Sequence, residues 1–284
     1  MLGLILAVTG AGVACAKGPQ LVDGVLTLRT GDYTATFTEE AFWTLDTLDY
    51  KDVALITPTG ANQSVIKLQP RPGLAEKDEW VGTKHGHEVV ESMTLEIDGK
   101  AFKLPTTEAL PEGKSFRLEK VARFGPLRGT WTVELDADGL KEKASFEKAE
   151  PDISQIAYAY VFMHCWSPRM QDWMAVLKDG SEVGERFPDT ASKSLQDDVS
   201  AVAVYSADEQ TGAVLAYPKA YQGFVGRQSF LNNFPGRHNK LYLTLSREAL
   251  IREPYSCFVQ GFSAAPDQWK QVVAEKIAHA ESVK

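Results

Sequence analysis

The chain has 284 residues, of which 44% are hydrophobic and 24% charged, as is typical of a globular protein with a substantial core. Its formal net charge is -8 at pH 7, and its isoelectric point is near 5.3. An acidic surface repels phosphate backbones, so we expect no general nucleic-acid binding. The charge leaves neutral sugars open as ligands, whereas a polyanionic ligand would need a local basic pocket.

Residues 1–16 form an apolar run that ends in the small residues Ala14, Cys15 and Ala16. This pattern is typical of a secretory signal peptide, although no Lys or Arg precedes the run, and the run is too short for a stable bilayer anchor. Cys15 leaves processing as a lipoprotein open. We predict a signal peptide over 1–16, a single β-sandwich domain over 17–284, and a secreted or periplasmic protein without a membrane span.

Alternating apolar and polar residues, rich in β-branched and aromatic types, predict strands along most of the chain. The predicted strands are Leu21–Leu28, Tyr33–Phe37, Phe42–Tyr50, Val89–Ile97, Ala101–Leu104, Phe116–Phe124, Gly129–Leu135, Ala144–Ala149, Ile153–His164, Trp173–Leu177, Val199–Tyr205, Ala213–Tyr217, Lys240–Leu245 and Tyr255–Phe262. The pairs Asp98-Gly99 and Asp138-Gly139 predict tight hairpins. Three stretches without alternation are predicted as long loops: Gln69–His87, Ser181–Asp198 and Lys219–Asn239.

One helix is predicted, from Pro266 through Ala280, on the helical spacing of its apolar residues. We expect it to pack on the outside of a sheet. Antiparallel hairpins without interleaved helices favour packed sheets over a parallel α/β fold. The predicted fold class is therefore all-β, a large antiparallel β-sandwich or supersandwich with a C-terminal helix.

Beyond Cys15, the chain contains Cys165 and Cys257, both in apolar strand-like segments. In an exported protein two such cysteines could form a disulfide. Free, buried cysteines are equally common in apolar segments. The sequence leaves both alternatives open.

The loop before the predicted strand Val89–Ile97 carries His85, His87 and Glu88. In extended backbone, residues two apart point to one side, so the two histidines would share a face. A metal site needs three or four ligands, so a metal-dependent protein with a distant third ligand is an alternative, and we expect no metal. A polar loop with local hydrogen bonds is the simpler interpretation. We include His87 and Glu88 among the candidate substrate contacts.

A second candidate lies where a continuous apolar strand ends in His164 and passes through Trp166 into a Pro-containing loop. An imidazole at a strand end suits a general acid or base, because the sheet fixes the ring while the loop admits substrate. Tyr160 and Trp166 offer apolar surfaces for the C–H face of a sugar ring. The alternative is a core histidine hydrogen-bonded to the backbone.

A third candidate is the stretch 221–240, which mixes glycine, aromatic, amide and cationic residues. Its cationic candidates are Arg227, Arg237 and His238. A forked arginine contact would hold a carboxylate, and the amides would hold hydroxyl groups. The alternative is a solvated hairpin loop with unrelated charges.

Several motifs are absent from the sequence. The chain has no Gly-rich phosphate loop, no Gly-x-Ser-x-Gly elbow, no His-Glu-x-x-His helix and no dinucleotide fingerprint. Nucleotide chemistry and serine hydrolysis are therefore disfavoured.

The segment Ala41–Gly60 reads AFWTLDTLDYKDVALITPTG. It resembles the early strands of galactose-mutarotase-like proteins, in which a strand leads to a tyrosine, a short turn, apolar residues and Pro-x-Gly. The resemblance implies a β-supersandwich and an activity like those of sugar epimerases, glycoside-processing enzymes or polysaccharide lyases. In such lyases a His or Tyr base works beside Arg, His or Asn groups that neutralise a uronate carboxylate.

These patterns together predict an exported carbohydrate-active protein that uses acid/base chemistry, as a lyase or an epimerase does. The candidate catalytic residues are His164, His238 and Arg237, and the candidate substrate contacts are Tyr160, Trp166, Arg227, His87 and Glu88. We expect a carbohydrate ligand and no cofactor. The alternative function is that of a non-catalytic carbohydrate-binding or envelope protein.

Overall fold

A computed structural model describes residues 18–70, 79–221 and 229–282. The predicted signal peptide 1–16, with Cys15, and the candidate Arg227 lie outside these described residues. Within them, long strands form two large antiparallel sheets, and a helix follows the last strand. The predicted all-β sandwich with a C-terminal helix is confirmed.

The elements follow one another closely along the described chain. The strands are β1 (Gln20–Val22), β2 (Val25–Thr30), β3 (Tyr33–Thr38), β4 (Thr44–Tyr50), β5 (Val53–Ile56), β6 (Gln63–Leu68), β7 (Glu79–Gly82), β8 (Glu88–Ile97), β9 (Lys100–Lys103), β10 (Phe116–Phe124), β11 (Leu127–Leu135), β12 (Leu140–Lys148), β13 (Ile156–Trp166), β14 (Asp172–Leu177), β15 (Glu182–Arg186), β16 (Ser192–Asp197), β17 (Val199–Ser206), β18 (Thr211–Ala216), β19 (Ser229–Phe234), β20 (His238–Ser246) and β21 (Tyr255–Ser263). The helices are α1 (Arg247–Leu250) and α2 (Trp269–Ser282).

The two sheets divide the strands between them. The first sheet has the order β1-β2-β3-β4-β5-β13-β20-β19-β16, with β6 paired to β13 and to β7. The second has the order β15-β14-β17-β18-β21-β12-β11-β10-β8-β9. The main hydrophobic core lies between the sheets and is built from the inward-facing residues of both. The long strand β13 lies in the middle of the first sheet. One of its faces packs into the main core, and the other lies on the outer side of the sheet.

Helix α2 packs against the outer face of the second sheet, as predicted. Trp269 and Val273 are buried there, and the Trp269 ring stacks on Tyr205 with ring centroids 5.1 Å apart and planes 4° from parallel. Apolar residues at helical spacing cover this patch of the sheet. Neither helix in the described ranges has the length and apolar character needed to cross a membrane.

The predicted hairpin at Asp98-Gly99 is confirmed. Both residues have positive φ, 47° and 83°, and Ile97 pairs directly with Lys100 across the turn. Such a two-residue turn requires left-handed backbone, which Asp and Gly tolerate. The hairpin at Asp138-Gly139 is confirmed as well, by the pairing of Leu135 with Leu140.

The three stretches predicted as loops are partly wrong, because each contains a strand. Strand β7 lies in the first stretch, β15 and β16 in the second, and β19 in the third. All five residues of β15 are exposed, and the strand pairs with β14 at the sheet edge. A strand with no buried face has no need of alternating apolar residues, so its sequence carried no periodic signal.

Candidate functional site

The outer face of the first sheet carries a row of aromatic rings, which we call the aromatic face: Trp80, Tyr158, Tyr160 and Tyr242. The ring centroids of Tyr160 and Tyr242 are 4.3 Å apart, and those of Trp80 and Tyr160 are 5.2 Å apart. Tyr158 lies 5.4 Å from Tyr160 on the same strand. The rings come from β7, β13 and β20, so they form a platform across neighbouring strands. Tyr160, which the sequence predicts as a substrate contact, is one of these rings.

Polar side chains border the aromatic face. The Asn232 side-chain amide donates to the Tyr242 hydroxyl at 2.7 Å, and the Lys67 ammonium lies 5.4 Å from the centre of the Trp80 ring. Lys240 sits between β13 and β19, directly paired with Cys165 on one side and Asn232 on the other. The face therefore combines flat apolar rings with amide and cationic groups.

Lys240 is one of the two lysines beside this face, and it is half-buried. Burial lowers the pKa of its ammonium group. No carboxylate in the described ranges forms an ion pair with it. The pKa of His85 is lowered too, first by burial and then by the charge of Lys240. A desolvated cation without an opposite charge attracts an anion strongly.

His238 lies beside Lys240 on the same side of β20 and is held in place by a turn. Its Nδ1 is 2.9 Å from the Thr59 hydroxyl, which also lies 3.1 Å from the carbonyl oxygen of Arg237. A Cβ at Gly60 would come within 2.8 Å of the Cys165 sulfur and 3.0 Å of His238 Cε1, so only glycine fits this turn. Burial lowers the pKa of His238 to about 4, assisted by the charges of Lys240 and Arg237.

The other two predicted members of this constellation are placed differently. Arg237 is exposed in the turn before β20, and it reaches the site through its electrostatic effect on His238. Arg227 falls in the range that the structure does not describe.

A β-bulge in β13 decides which residues reach the aromatic face. The pairing of β13 with β20 shifts between Val161 and His164, and Phe162 has a φ of 49°. Before the bulge, Tyr158 and Tyr160 face outward; after it, Met163 and Cys165 do so, while His164 and Trp166 face inward. An extra residue reverses the alternation of all residues that follow it.

The expectation that His164 and Trp166 face a ligand is therefore wrong in its geometry. His164 is fully buried, and its Nε2 lies 2.6 Å from Oε1 of Glu142, on the facing sheet. Trp166 is 1% exposed and packs in the main core. Neither side chain touches the aromatic face, and we assign neither a role in it.

The loop before β8 also differs from the prediction. Gly86 and His87 have positive φ, 83° and 57°, so the backbone turns and the two histidines do not share an extended face. His87 is exposed and its Nε2 lies 2.9 Å from Glu79 Oε1, whereas His85 lies 6.1 Å from the Trp80 ring. Of this loop, His85 reaches the candidate site. In the part of the chain that the structure describes, no third ligand joins these histidines.

Glu88 is part of the interior instead of the candidate site. Its carboxylate is buried and accepts a hydrogen bond from Lys120 Nζ at 2.6 Å. Lys120 also donates to the Phe42 carbonyl oxygen and lies 4.6 Å from the centre of the Trp131 ring. The pair thus joins neighbouring strands of the second sheet, the Lys120–Phe42 bond reaches the first sheet, and the expected contact of Glu88 with substrate is wrong.

Several residues on or beside the aromatic face were not named as ligand contacts from the sequence: Trp80, Tyr158, Tyr242 and Lys67. His85 was considered as a metal ligand alone, and Asn232 and Lys240 were included within the candidate stretch 221–240 without a role of their own. One signal was available in β20, where His238, Lys240 and Tyr242 alternate with the core residues Leu241 and Leu243. This alternation places the three polar and aromatic side chains on one face. The contribution of β7 had no comparable signal, because its four residues lie inside an irregular stretch.

The two described cysteines are free and buried. Cys165 belongs to the outer side of the first sheet, near Gly60, whereas Cys257 lies in the core between the sheets. The disulfide alternative is therefore excluded for this pair.

A recess of about 250 Å³ lies elsewhere, between α2 and the second sheet. Its lining includes Ala216, Pro218, Phe258 and Ile277, and Lys141 is its one charged lining residue in the described ranges. Tyr217 and Cys257 also border it, but both belong to the main core, and the recess has no imidazole among its lining residues in the described ranges. The chemistry therefore favours the aromatic face as the candidate site.

No protein-family model and no curated protein matches the chain. Solved structures do match it. The α-N-acetylgalactosaminidase NagBb from Bifidobacterium bifidum matches over 88% of this chain with a TM-score of 0.54 and 7% identity. The match covers 39% of that enzyme, so this chain corresponds to less than half of its length.

Two further solved structures match with lower TM-scores. The α-galactosidase AgaB from Geobacillus stearothermophilus matches over 87% of this chain and 41% of its own, at 12% identity and a TM-score of 0.42. A galactose mutarotase-like protein from Clostridium acetobutylicum matches over 86% of this chain and 98% of its own, at 10% identity and a TM-score of 0.44. The matches thus include the group that residues 41–60 resemble. At these identities the likeness is one of fold alone.

Proposed function

We propose that this protein binds a carbohydrate that carries a carboxylate, such as a uronate sugar, on the aromatic face. The observation that carries the proposal is the half-buried ammonium of Lys240, which has no carboxylate partner in the described chain and lies beside a platform of aromatic rings. A desolvated cation in this position favours an anionic group of a ligand.

The rings fit the rest of such a ligand. A sugar ring has an apolar C–H face, which packs on an aromatic ring, and a rim of hydroxyl groups, which needs amide and hydroxyl partners. Trp80 and Tyr160 supply flat surface, while Asn232 and Tyr242 supply polar atoms at its border. The ring centroids of Trp80, Tyr160 and Tyr242 follow one another at 5.2 Å and 4.3 Å, so the platform offers apolar surface for a short oligosaccharide.

The comparisons support carbohydrate as the ligand class through the shared fold. NagBb is named as an α-N-acetylgalactosaminidase, and its match is the one whose TM-score exceeds 0.5 among those described above. This support concerns the class of ligand and carries no catalytic residue over to this chain.

Calorimetric titration with uronate oligosaccharides and their neutral counterparts tests the proposal. We expect Trp80→Ala to weaken binding at least tenfold, about 1.4 kcal/mol, because the largest ring of the platform is lost. The matched control is Val89→Ala, which shortens an exposed apolar side chain of the second sheet, 63% exposed, and should bind normally. Binding that is unaffected by Trp80→Ala, or no binding of any uronate sugar, would contradict the proposal.

Acid/base chemistry at the same face is a second candidate, in the manner of a lyase or an epimerase. The observation that favours it is the lowered pKa of His85 beside Lys240, since a neutral imidazole can accept a proton. In an elimination, His85 would take the proton from the carbon next to the carboxylate, and the electron pair of that C–H bond would form a double bond to the adjacent carbon as its bond to the glycosidic oxygen breaks. The leaving oxygen would receive a proton from the His85 imidazolium, which returns to its neutral form. Lys240 would stabilise the negative charge that develops on the carboxylate.

An ultraviolet assay for unsaturated products separates the two candidates. Catalysis predicts product from a uronate polymer, and His85→Asn should abolish it while binding persists. Binding without product from the unmodified protein supports the non-catalytic function and rejects the elimination.

We further propose export of the chain, on the apolar composition of residues 1–16 and the small residues at 14–16. Cell fractionation with N-terminal sequencing of the mature protein tests it. Cleavage after Ala16 is expected for a signal peptide, whereas a lipid-modified Cys15 at the N-terminus would indicate a lipoprotein. An uncleaved cytoplasmic chain would reject export.

A further inference from the structure

A second cluster of reactive side chains lies in the core, between the sheets. Glu142, His164 and Cys257 each offer one potential ligand atom, and the three atoms lie within 4.8 Å of one another. All three residues are at most 1% exposed. Glu142 and Cys257 are direct neighbours on β12 and β21, while His164 reaches them from β13 of the first sheet.

The hydrogen bonds of this cluster are incomplete. His164 Nε2 contacts the Glu142 carboxylate at 2.6 Å, but the other ring nitrogen, Nδ1, is buried without a hydrogen-bond partner. A buried polar atom without a partner costs about 1–3 kcal/mol, so native interiors rarely keep one. The unpartnered Nδ1 atom therefore favours a bound ion at this cluster.

We propose that Glu142, His164 and Cys257 bind one Zn²⁺ ion between the two sheets. Carboxylate oxygen, imidazole nitrogen and thiolate sulfur are all established zinc ligands. The charges also balance, since one carboxylate and one thiolate neutralise a divalent cation while the imidazole stays neutral. A neutral assembly suits an apolar interior, where an isolated charge is costly.

The fourth position points to Tyr217. Its hydroxyl is buried without a hydrogen-bond partner, and Tyr217 directly follows Ala216, which pairs with Phe258 next to Cys257. A buried, unpartnered oxygen beside one of the ligands is the available candidate to complete a tetrahedral set. With four protein ligands the site would be closed, as structural zinc sites are, and open to no substrate.

The position gives the ion a structural role. β12 and β21 belong to the second sheet and β13 to the first, so one ion would tie the sheets together at the centre of the sandwich. Because the site is sealed from water, the ion must enter during folding, and chelators should act slowly on the folded protein. The site is independent of the aromatic face, which lies on the other side of the first sheet.

Metal analysis of the purified protein, and of protein refolded with Zn²⁺ or Co²⁺, tests this inference. We expect one ion per chain and, with Co²⁺, an intense thiolate-to-metal charge-transfer band in the near ultraviolet. The band reports a sulfur ligand directly and requires no activity assay. Refolding with Zn²⁺ should also raise the melting temperature above that obtained with a chelator.

Matched variants identify the ligands. Cys257→Ser should abolish the charge-transfer band, and Glu142→Gln should lower the affinity for Co²⁺ at least tenfold. Cys165→Ser removes the other buried cysteine, which faces the opposite side of the first sheet, and should keep the full band. A wild-type protein that takes up no Zn²⁺ or Co²⁺ on refolding would overturn the inference, and so would an unchanged band in Cys257→Ser. The wild-type measurement decides the matter even if a variant fails to fold.

Discussion

Two lysines of this protein are shielded from water, one with a carboxylate partner and one without such a partner in the described residues. Lys120 lies between the sheets, where Glu88 accepts its hydrogen bond at 2.6 Å, the Phe42 carbonyl oxygen accepts another, and the Trp131 ring lies beneath it. Lys240 lies on the outer side of the first sheet, with no carboxylate partner in the described ranges. Burial lowers the pKa of both ammonium groups.

The difference separates a structural charge from a recognition charge. At Lys120 the fold itself supplies the opposite charge, so the pair is complete before any ligand arrives. At Lys240 the fold supplies rings, an amide and imidazoles, and leaves the opposite charge to a ligand. Methionine keeps roughly the length of a lysine side chain without its charge. We therefore expect Lys120→Met to lower the unfolding free energy and Lys240→Met to raise it.

The largest effect is expected for Lys120→Met. It leaves the buried Glu88 carboxylate unpaired, and breaking a buried pair in this way costs about 3–5 kcal/mol of unfolding free energy. Chemical denaturation followed by fluorescence measures the change. The double variant Glu88→Gln, Lys120→Met removes both charges and should recover most of the loss. If the single variant were as stable as the wild type, the pair would not have the structural role described above.

Lys240→Met should raise the unfolding free energy and weaken ligand binding. Loss of a charged hydrogen bond, about 1.5–3 kcal/mol, should weaken uronate binding roughly ten- to hundredfold. Removing a desolvated cation without a partner should raise the unfolding free energy by about 0.5–2 kcal/mol. Calorimetry and denaturation of the same sample measure both. Neutral sugars should bind to the variant as to the wild type, and an equal loss for neutral sugars would contradict a role in carboxylate recognition.

The pH dependence of stability should report on His238, next to Lys240. Its folded pKa of about 4 lies below the usual 6.5, so between these values the unfolded chain binds a proton that the folded chain does not. Its contribution to stability is complete above pH 6.5 and is lost as the pH falls toward 4. The shift corresponds to about 3 kcal/mol, which solvent screening near the exposed Arg237 reduces to about 1–2 kcal/mol.

Denaturation curves at pH 7 and pH 4 check this effect. His238→Asn should narrow the difference in unfolding free energy between the two pH values by about 1–2 kcal/mol. The control His279→Asn alters an exposed residue of α2 and should leave the difference unchanged. An NMR titration that gives His238 a pKa near 6.5 in the folded protein would contradict the prediction.

The smallest effect is expected in the pH dependence of uronate binding. Binding requires the protonated form of Lys240, whose pKa is lowered by burial. Affinity should therefore fall as the pH rises, beginning below the range in which an ordinary lysine loses its proton. Calorimetric titrations from neutral to alkaline pH measure the fall. An affinity that stays constant up to the pH range in which an ordinary lysine loses its proton would contradict a contact between Lys240 and the ligand carboxylate.

The fold could be predicted well from the sequence because alternation and turn chemistry are local signals. The hairpin at Asp98-Gly99 and helix α2 followed directly from them. The candidate site was predicted in part: Tyr160 and His238 lie there, but Lys240 was overlooked within a mixed segment. His164 was misplaced because it was taken to stand at an accessible strand end, whereas β13 continues to Trp166 and a bulge, which leaves no mark in residue types, turns the imidazole inward. The partnership of His164 with Glu142 joins residues on two sheets, which no local pattern encodes.

The bulge at Phe162 also bears on how such a protein could change in evolution. Because the bulge adds one residue to β13, deleting Phe162 would restore unbroken alternation with Met163 still outward and His164 still inward. Regular extended backbone through residue 162 at unchanged length would instead turn the imidazole of His164 toward the rings and send Met163 into the interior. Loss of the bulge without a change of length is thus a route by which a scaffold of this kind could acquire a proton-transfer group, at the expense of its interior.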